Sequence, residues 1–368
     1  MASAQGAKEN ATRSLPRAMA RRVLGLIKDQ LRYRPYFNAV KGRSANVAAL
    51  INRMKEAYQP VNQPLILISQ VERSGGSMLA QLFDGHPDVL AHPHELKIGY
   101  PNKRIWPPLD IADVDEQFRV LFELNNVDFF ERGYSKGKHN TDRMNFFLMP
   151  QLQLELFREA LKKGGRANGR DVLNAYFTSY FNAWLNMRSR IDQARFVSGF
   201  VPMLAVEPNN MDQFWETYPD GYLISSVRSP LSWHPSFARL KRDAPDMTKV
   251  SATAARWNAS VEAMFRERAR KPDRVIVLRF DDLVKKTEAS MRLICSRIGL
   301  DFHPALVTPT FNGEPIASNS AFAPTKPGVM NDTVVERESL LSDEERDHLT
   351  KHCMPLYERA MKELVETV

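Results

Sequence analysis

The stretch Arg73-Ser74-Gly75-Gly76-Ser77-Met78 contains the residue types needed to hold a phosphate group without a metal. Two consecutive glycines let the backbone turn sharply and approach an anion closely. The amides from Gly75 to Met78 then face that anion from the start of a helix. Arg73 adds a fixed positive charge, and the hydroxyls of Ser74 and Ser77 can donate hydrogen bonds. The spacing is not G-x-x-x-x-G-K-[ST], and the lysine expected of a nucleotide kinase or GTPase is missing.

A second set of anion-binding types lies in ISSVRSPLSWHPSFARL, residues 224–240. Arg228 falls at the end of an apolar run, and Ser236 follows eight residues later. A strand-end arginine with a helix serine suits a second phosphate, because open α/β sheets bind ligands at the carboxyl ends of their strands.

These residues need a scaffold, and the apolar runs supply one. Residues 65–69 (LILIS), 196–204, 221–227 and 274–280 read as buried strands. Met78, Leu79, Leu82 and Phe83 give one face of a helix after the first run. Helical spacing also covers 16–33, 45–58, 150–164, 172–189, 252–270, 281–300 (ending near Gly299) and 343–366. Strands alternating with helices imply an α/β fold, a P-loop-like three-layer sandwich with a central parallel sheet covered by helices. We expect a basic, partly helical extension over 1–60, the α/β domain over 61–325, and a helical C-terminal segment over 326–368 packed on that core. The proline- and asparagine-rich stretch 310–335 reads as a long ordered loop.

Composition sets outer bounds. The 368 residues carry a net charge of +8, with 43% hydrophobic and 26% charged residues, enough for a large core without staples. Only two cysteines occur, Cys295 and Cys353, without metal-ligand spacing; that count argues against a disulfide scaffold and a zinc site, so no metal is expected. Much of the positive excess sits in the first sixty residues, from Arg13 to Lys55. That extension reads as surface helices packed on the core, with peripheral contact to a membrane or another anionic surface as the functional alternative. No stretch is long and apolar enough to cross a bilayer. A cytoplasmic location is expected, with an organelle-targeting leader as the alternative.

Taken together the segments resemble the PAPS-dependent sulfotransferases, over about residues 64–325. In that family a loop of the form [KR]-S-G-[TG]-[TS] cradles the 5′-phosphosulfate of 3′-phosphoadenylyl sulfate (PAPS); here it is Arg73 to Ser77. A second motif, R-x-P with a serine eight residues after the arginine, grips the 3′-phosphate; here it is Arg228-Ser229-Pro230 and Ser236. A late strand followed by an acidic pair is a further family feature, seen here as LRFDDLV with Phe280 in place of the usual tyrosine. Met78 replaces the tryptophan of the cytosolic phenol and steroid enzymes, and their R-K-G-x-x-G motif is missing. The resemblance is therefore closer to bacterial-type or carbohydrate-directed members, and Asn319 and Ser320 in the loop 311–322 are candidates for the remaining donor contacts.

What the resemblance implies is a transferase of the EC 2.8.2 type. It would move a sulfuryl group in line from PAPS to an acceptor hydroxyl, first of all on a carbohydrate or glycolipid, without a metal. Arg73 and the loop amides would meet the charge on the departing phosphate. A base must reach the acceptor, and LAHPHELKIGYP (90–101) offers His92, His94 and Glu95. Family practice favours Glu95 first and His94 second. Glu72 reads as a structural partner for a nearby base. Tyr100, Trp106, Phe118, Phe122, Phe129, Phe130 and Tyr134 are expected to help line the acceptor side. Two rivals remain: a nucleotide-dependent phosphotransferase with a divergent phosphate loop, and a basic module for membranes or nucleic acid. The second lacks aromatic interleaving and any recognised nucleic-acid motif, so no specific nucleic-acid partner is expected.

Overall fold

The computed structural model describes residues 45–96, 105–135, 143–317, 326–330 and 337–368. Five strands form its central sheet: β1 (Leu65–Ile68), β2 (Val89–Glu95), β3 (Phe196–Phe200), β4 (Tyr222–Val227) and β5 (Val275–Arg279). They lie in the order β2-β3-β1-β4-β5, every neighbouring pair parallel. Parallel strands are covered on both faces, which is why β1 is Leu-Ile-Leu-Ile without a polar residue. The two-residue alternation survives inside that run. Leu65 and Leu67 join one core cluster with Leu223, Val275 and Val277. Ile66 and Ile68 join the other with Ile224, Ile276 and Leu278.

Helices Gly169–Ala183 and Val250–Arg270 cover the first face, contributing Leu173, Tyr176, Trp257 and Val261. Helices Gly76–Phe83 and Thr287–Ile298 cover the second with Leu79, Phe83, Met291 and Ile294. The expected helix over 281–300 is broken in two at Lys286, and Gly299, with φ of 70°, ends it. At the C-terminus, Leu349, Cys353, Ala360 and Leu364 pack into the first cluster. The Glu366 amide donates to the carbonyl of Val277 at 2.9 Å. Cys295 and Cys353 are both buried thiols, and burial pushes them up to about 11 and about 12.

The order of strands places a switch point at β1. The chain leaves β1 for β2 and β3 on one side and crosses to β4 and β5 on the other. The crevice beyond the carboxyl ends of β1 and β4 is where such sheets take ligands. Both expected phosphate motifs open there. No helix among the described residues is long and apolar enough to cross a membrane.

Candidate functional site

The loop after β1 is held by its backbone from several directions. The Val71 amide donates to Ser260 Oγ at 2.9 Å, and Trp233 Nε1 donates to the Glu72 carbonyl at 2.6 Å. The Glu72 carboxylate is gripped by Arg256 through Nε at 3.0 Å and through Nη2, the structural pairing expected for it. Ser226 Oγ donates to the Ser74 carbonyl, and Arg228 Nη1 to the Arg73 carbonyl at 2.9 Å. Arg73 adopts φ of 68°, a left-handed conformation costly for a residue with a β-carbon. Gly75 adopts φ of 90° directly before the helix Gly76–Phe83. A β-carbon at Gly76 would collide with the Phe200 ring and the Gln70 amide. The loop is thus tied from below and strained, as a cradle that must present its amides is expected to be. Ser74 Oγ is fully buried and has no hydrogen-bond partner among the described residues.

Arg228 lies at the end of β4 and is 2% exposed. Its Nε donates to Ser232 Oγ at 3.1 Å, and its guanidinium lies over the Phe280 ring. Trp257 Nε1 fixes the Arg228 carbonyl at 3.0 Å. Ser236 is on the second turn of the helix Pro230–Leu240 and is fully buried. Its Oγ accepts from Arg73 Nε at 3.3 Å and from Arg337 Nη1 at 3.1 Å. The structure thus brings the two expected motifs to one hydroxyl. It adds Arg337, which sequence reasoning missed because it sits about a hundred residues away in no recognisable motif.

Three guanidiniums in one corner disfavour their own charges. Burial, then Arg337 and Arg73, bring Arg228 down to about 9, with Asp281 acting in the opposite sense. Burial, then Arg73 and Arg239, bring Arg337 down to about 10. Arg73 is lowered by burial. An anion in this corner would offset both effects at once.

The stretch with the base candidates is the edge strand β2. Its register with β3 runs Val89↔Phe196, Leu90↔Val197, Ala91↔Ser198 and then jumps to Glu95↔Phe200. Three residues, His92, Pro93 and His94, therefore stand opposite Gly199 alone. Bulges on edge strands tolerate proline and re-aim side chains near active sites. His92 Nδ1 lies 2.9 Å from the His94 carbonyl and Nε2 lies 2.7 Å from Glu123 Oε1. His94 Nδ1 lies 2.9 Å from the Glu95 carbonyl and Nε2 lies 3.2 Å from Asn126 Oδ1. Tyr176 donates its hydroxyl to Glu123 Oε1 at 2.8 Å. His92, His94 and Glu123 are of metal-binding type, and their ligand atoms lie within 4.8 Å of one another. Their histidine nitrogens already face carbonyl or carboxylate oxygens at hydrogen-bond distance. Sequence reasoning did not anticipate Glu123 beside these histidines.

Of the aromatics expected on the acceptor side, Trp106, Phe118, Phe122 and Tyr134 are buried in the core. Tyr134 stacks on Phe311 with centroids 4.0 Å apart, and burial, then the charges of Asp84 and Glu95, raise its phenol. Phe130 is exposed. Asn319, Ser320 and Tyr100 lie outside the described residues, as does the basic extension before residue 45.

A parallel α/β sheet with two loops rich in arginine, serine and glycine opening at its switch point is an arrangement in which such sheets take ligands. The chain belongs to the sulfotransferase family, whose model matches residues 64–304; it is a transferase of sulfuryl groups. Similar solved structures include the sulfotransferase domain from the curacin biosynthetic pathway, at 16% identity over 80% of this chain and 98% of that one, with a TM-score of 0.45. The sulfotransferase domain of the Synechococcus PCC 7002 olefin synthase is similar at 18% identity over 85% and 100%, TM-score 0.46. A sulfotransferase from Alicyclobacillus acidocaldarius is similar at 14% identity over 83% and 97%, TM-score 0.44. No curated protein matches the chain.

Proposed function

We propose that this sulfotransferase takes its sulfuryl group from PAPS and delivers it to an acceptor hydroxyl on a carbohydrate or glycolipid. The convergence of Arg73 and Arg337 on Ser236, beside buried Arg228, is the observation that carries the reading. A donor with phosphates at both the 5′ and 3′ positions fits a site with two anion corners sharing one arginine. Family membership favours the same donor. On this reading the amides of Gly75 to Met78, with Ser74, Ser77 and Arg73, hold the 5′-phosphosulfate. Arg228, Ser236 and Arg337 hold the 3′-phosphate.

Sulfuryl transfer, like phosphoryl transfer, depends on alignment and on charge stabilisation at the leaving group. Arg73 belongs to the loop after β1 and reaches Ser236, so on this reading it orients the donor and meets the charge that develops at the 5′-phosphate. We assign the base to Glu95. It pairs with Phe200, and the Phe200 ring packs where Gly76 leaves room. Glu95 therefore stands on the same sheet end as the cradle. His94 is the second choice, because both its ring nitrogens already face the oxygens of Glu95 and Asn126.

The test is sulfate transfer from labelled PAPS into a panel of glycan, glycolipid and phenol acceptors. A thermal-shift comparison of the bisphosphate product PAP with ADP and ATP plus magnesium accompanies it. Stabilisation by PAP and labelling of a glycan are expected. A shift only with ATP and magnesium would replace the reading with a phosphotransferase.

A further inference from the structure

We propose that His92 is a positioning residue for the proton-accepting carboxylate. It would hold the β2 bulge in the shape that presents Glu95, and Glu123 with Tyr176 would hold His92. The proposal rests on Glu95 being the base.

A bulge at a sheet edge leaves carbonyls without ladder partners, and such groups must be satisfied in another way when buried. β2 is an edge strand paired only with β3. Its regular pairing stops at Ala91, and the Leu96 amide meets the Phe200 carbonyl at 2.9 Å on the far side. Between those points imidazoles take over the role of the ladder. His92 Nδ1 lies 2.9 Å from the His94 carbonyl, and His94 Nδ1 lies 2.9 Å from the Glu95 carbonyl.

The His92 ring is itself immobilised. Its Nε2 lies 2.7 Å from Glu123 Oε1, and both side chains are fully buried. Tyr176 donates to the same carboxylate oxygen at 2.8 Å, and the Tyr180 ring lies 4.8 Å from His92, centroid to centroid. Two oxygens, the His94 carbonyl and Glu123 Oε1, thus face the two His92 nitrogens at hydrogen-bond distance. Desolvation offsets most of the attraction in a buried pair of this kind, so on this proposal its role is to fix geometry. The geometry it fixes ends at Glu95, opposite Phe200, whose ring packs against the phosphate loop at Gly76.

Two substitutions separate the two nitrogens. His92→Asn keeps a donor near the Nδ1 position, and His92→Gln keeps one near Nε2. Turnover at saturating PAPS and acceptor, PAP affinity by calorimetry, metal content and melting temperature are measured for each. His92→Gln is expected to lose at least about tenfold in kcat, the scale on which misplacement of a catalytic group acts. PAP affinity should stay within about twofold, and His92→Asn should recover kcat to within about threefold of wild type. Adding His92→Gln to Glu95→Gln should slow the enzyme no further.

Wild-type turnover in His92→Gln overturns the proposal, as does equal impairment of the two variants or a parallel loss of PAP affinity. One zinc per purified chain, lost in His92→Gln, also overturns it, because the nitrogens would then be ligands. If His92→Gln does not fold, His92→Asn decides alone: a kcat below about a tenth of wild type at unchanged melting temperature sinks the idea. The Glu95→Gln arm is read separately. Near wild-type turnover there removes the base assignment, whereas an inactive Glu95→Gln beside an active His92→Gln removes only the positioning role.

Discussion

The guanidinium of Arg228 lies over the ring of Phe280, 4.6 Å from its centroid. The same ring edge is 3.1 Å from where a β-carbon of Gly75 would stand. One aromatic side chain thus supports the strand-end arginine and floors the glycine turn. Attraction between a desolvated cation and an aromatic face is worth about 2 kcal/mol. Phe280→Leu should therefore weaken PAP binding by up to about thirtyfold, while Phe280→Tyr keeps it within about twofold. Isothermal titration decides; equal affinity in all three proteins would remove Phe280 from the site.

Arg337 and Arg228 should read the 3′-phosphate specifically. Arg337→Ala is expected to weaken PAP at least about tenfold, the loss typical of a charged hydrogen bond. Affinity for adenosine 5′-phosphate, which lacks the 3′ group, should change little. Equal loss for both nucleotides would assign Arg337 to folding or to the 5′ side.

The arginine corner also sets a pH dependence. Arg228 and Arg337 have folded values of about 9 and about 10, below those of an unfolded chain. As pH rises through that window the folded state releases protons that the unfolded state keeps, so stability rises. At neutral pH both charges are present at a cost, and a bound anion offsets it. PAP should raise the melting temperature more at pH 7.5 than above about pH 10.5. Binding between about pH 9 and 10 should take up protons. Titrations in buffers of different ionisation enthalpy measure that uptake, and none observed would contradict the assigned corner.

Gly76 is closed to any side chain. Gly76→Ala would force its methyl into Phe200 and Gln70, so a loss of about 1–3 kcal/mol is expected from overpacking. Chemical denaturation gives the stability and calorimetry the PAP affinity; both should fall. Wild-type values would mean that the helix start relaxes freely.

How much of this is legible in the sequence depends on the kind of signal. Four strands are apolar runs buried on both faces, and the apolar criterion finds them within a few residues. β2 escapes it: VLAHPHE carries a proline and two histidines, because a bulge there replaces ladder bonds with imidazole bonds. Arg73 with Ser77 and Arg228 with Ser236 are local motifs, and the structure brings Arg73 to Ser236. Arg337 and Glu123 are visible only after folding, since the first meets Ser236 101 residues away and the second meets His92 31 residues away. The aromatics of 106–134 could not be sorted between core and acceptor side without burial. Most proved to be core.

Ser236 is finished by an arginine that arrives after residue 304, where the family match ends. The residues that the family model matches and the arginine that completes the Ser236 contacts thus belong to different stretches of the chain. A chimera carrying residues 64–304 into another chain would inherit the cradle, Arg228 and Ser236, yet leave that hydroxyl with one guanidinium instead of two. On the proposed reading, donor affinity becomes an adjustable trait, set by whatever sequence is spliced on behind the transferase core.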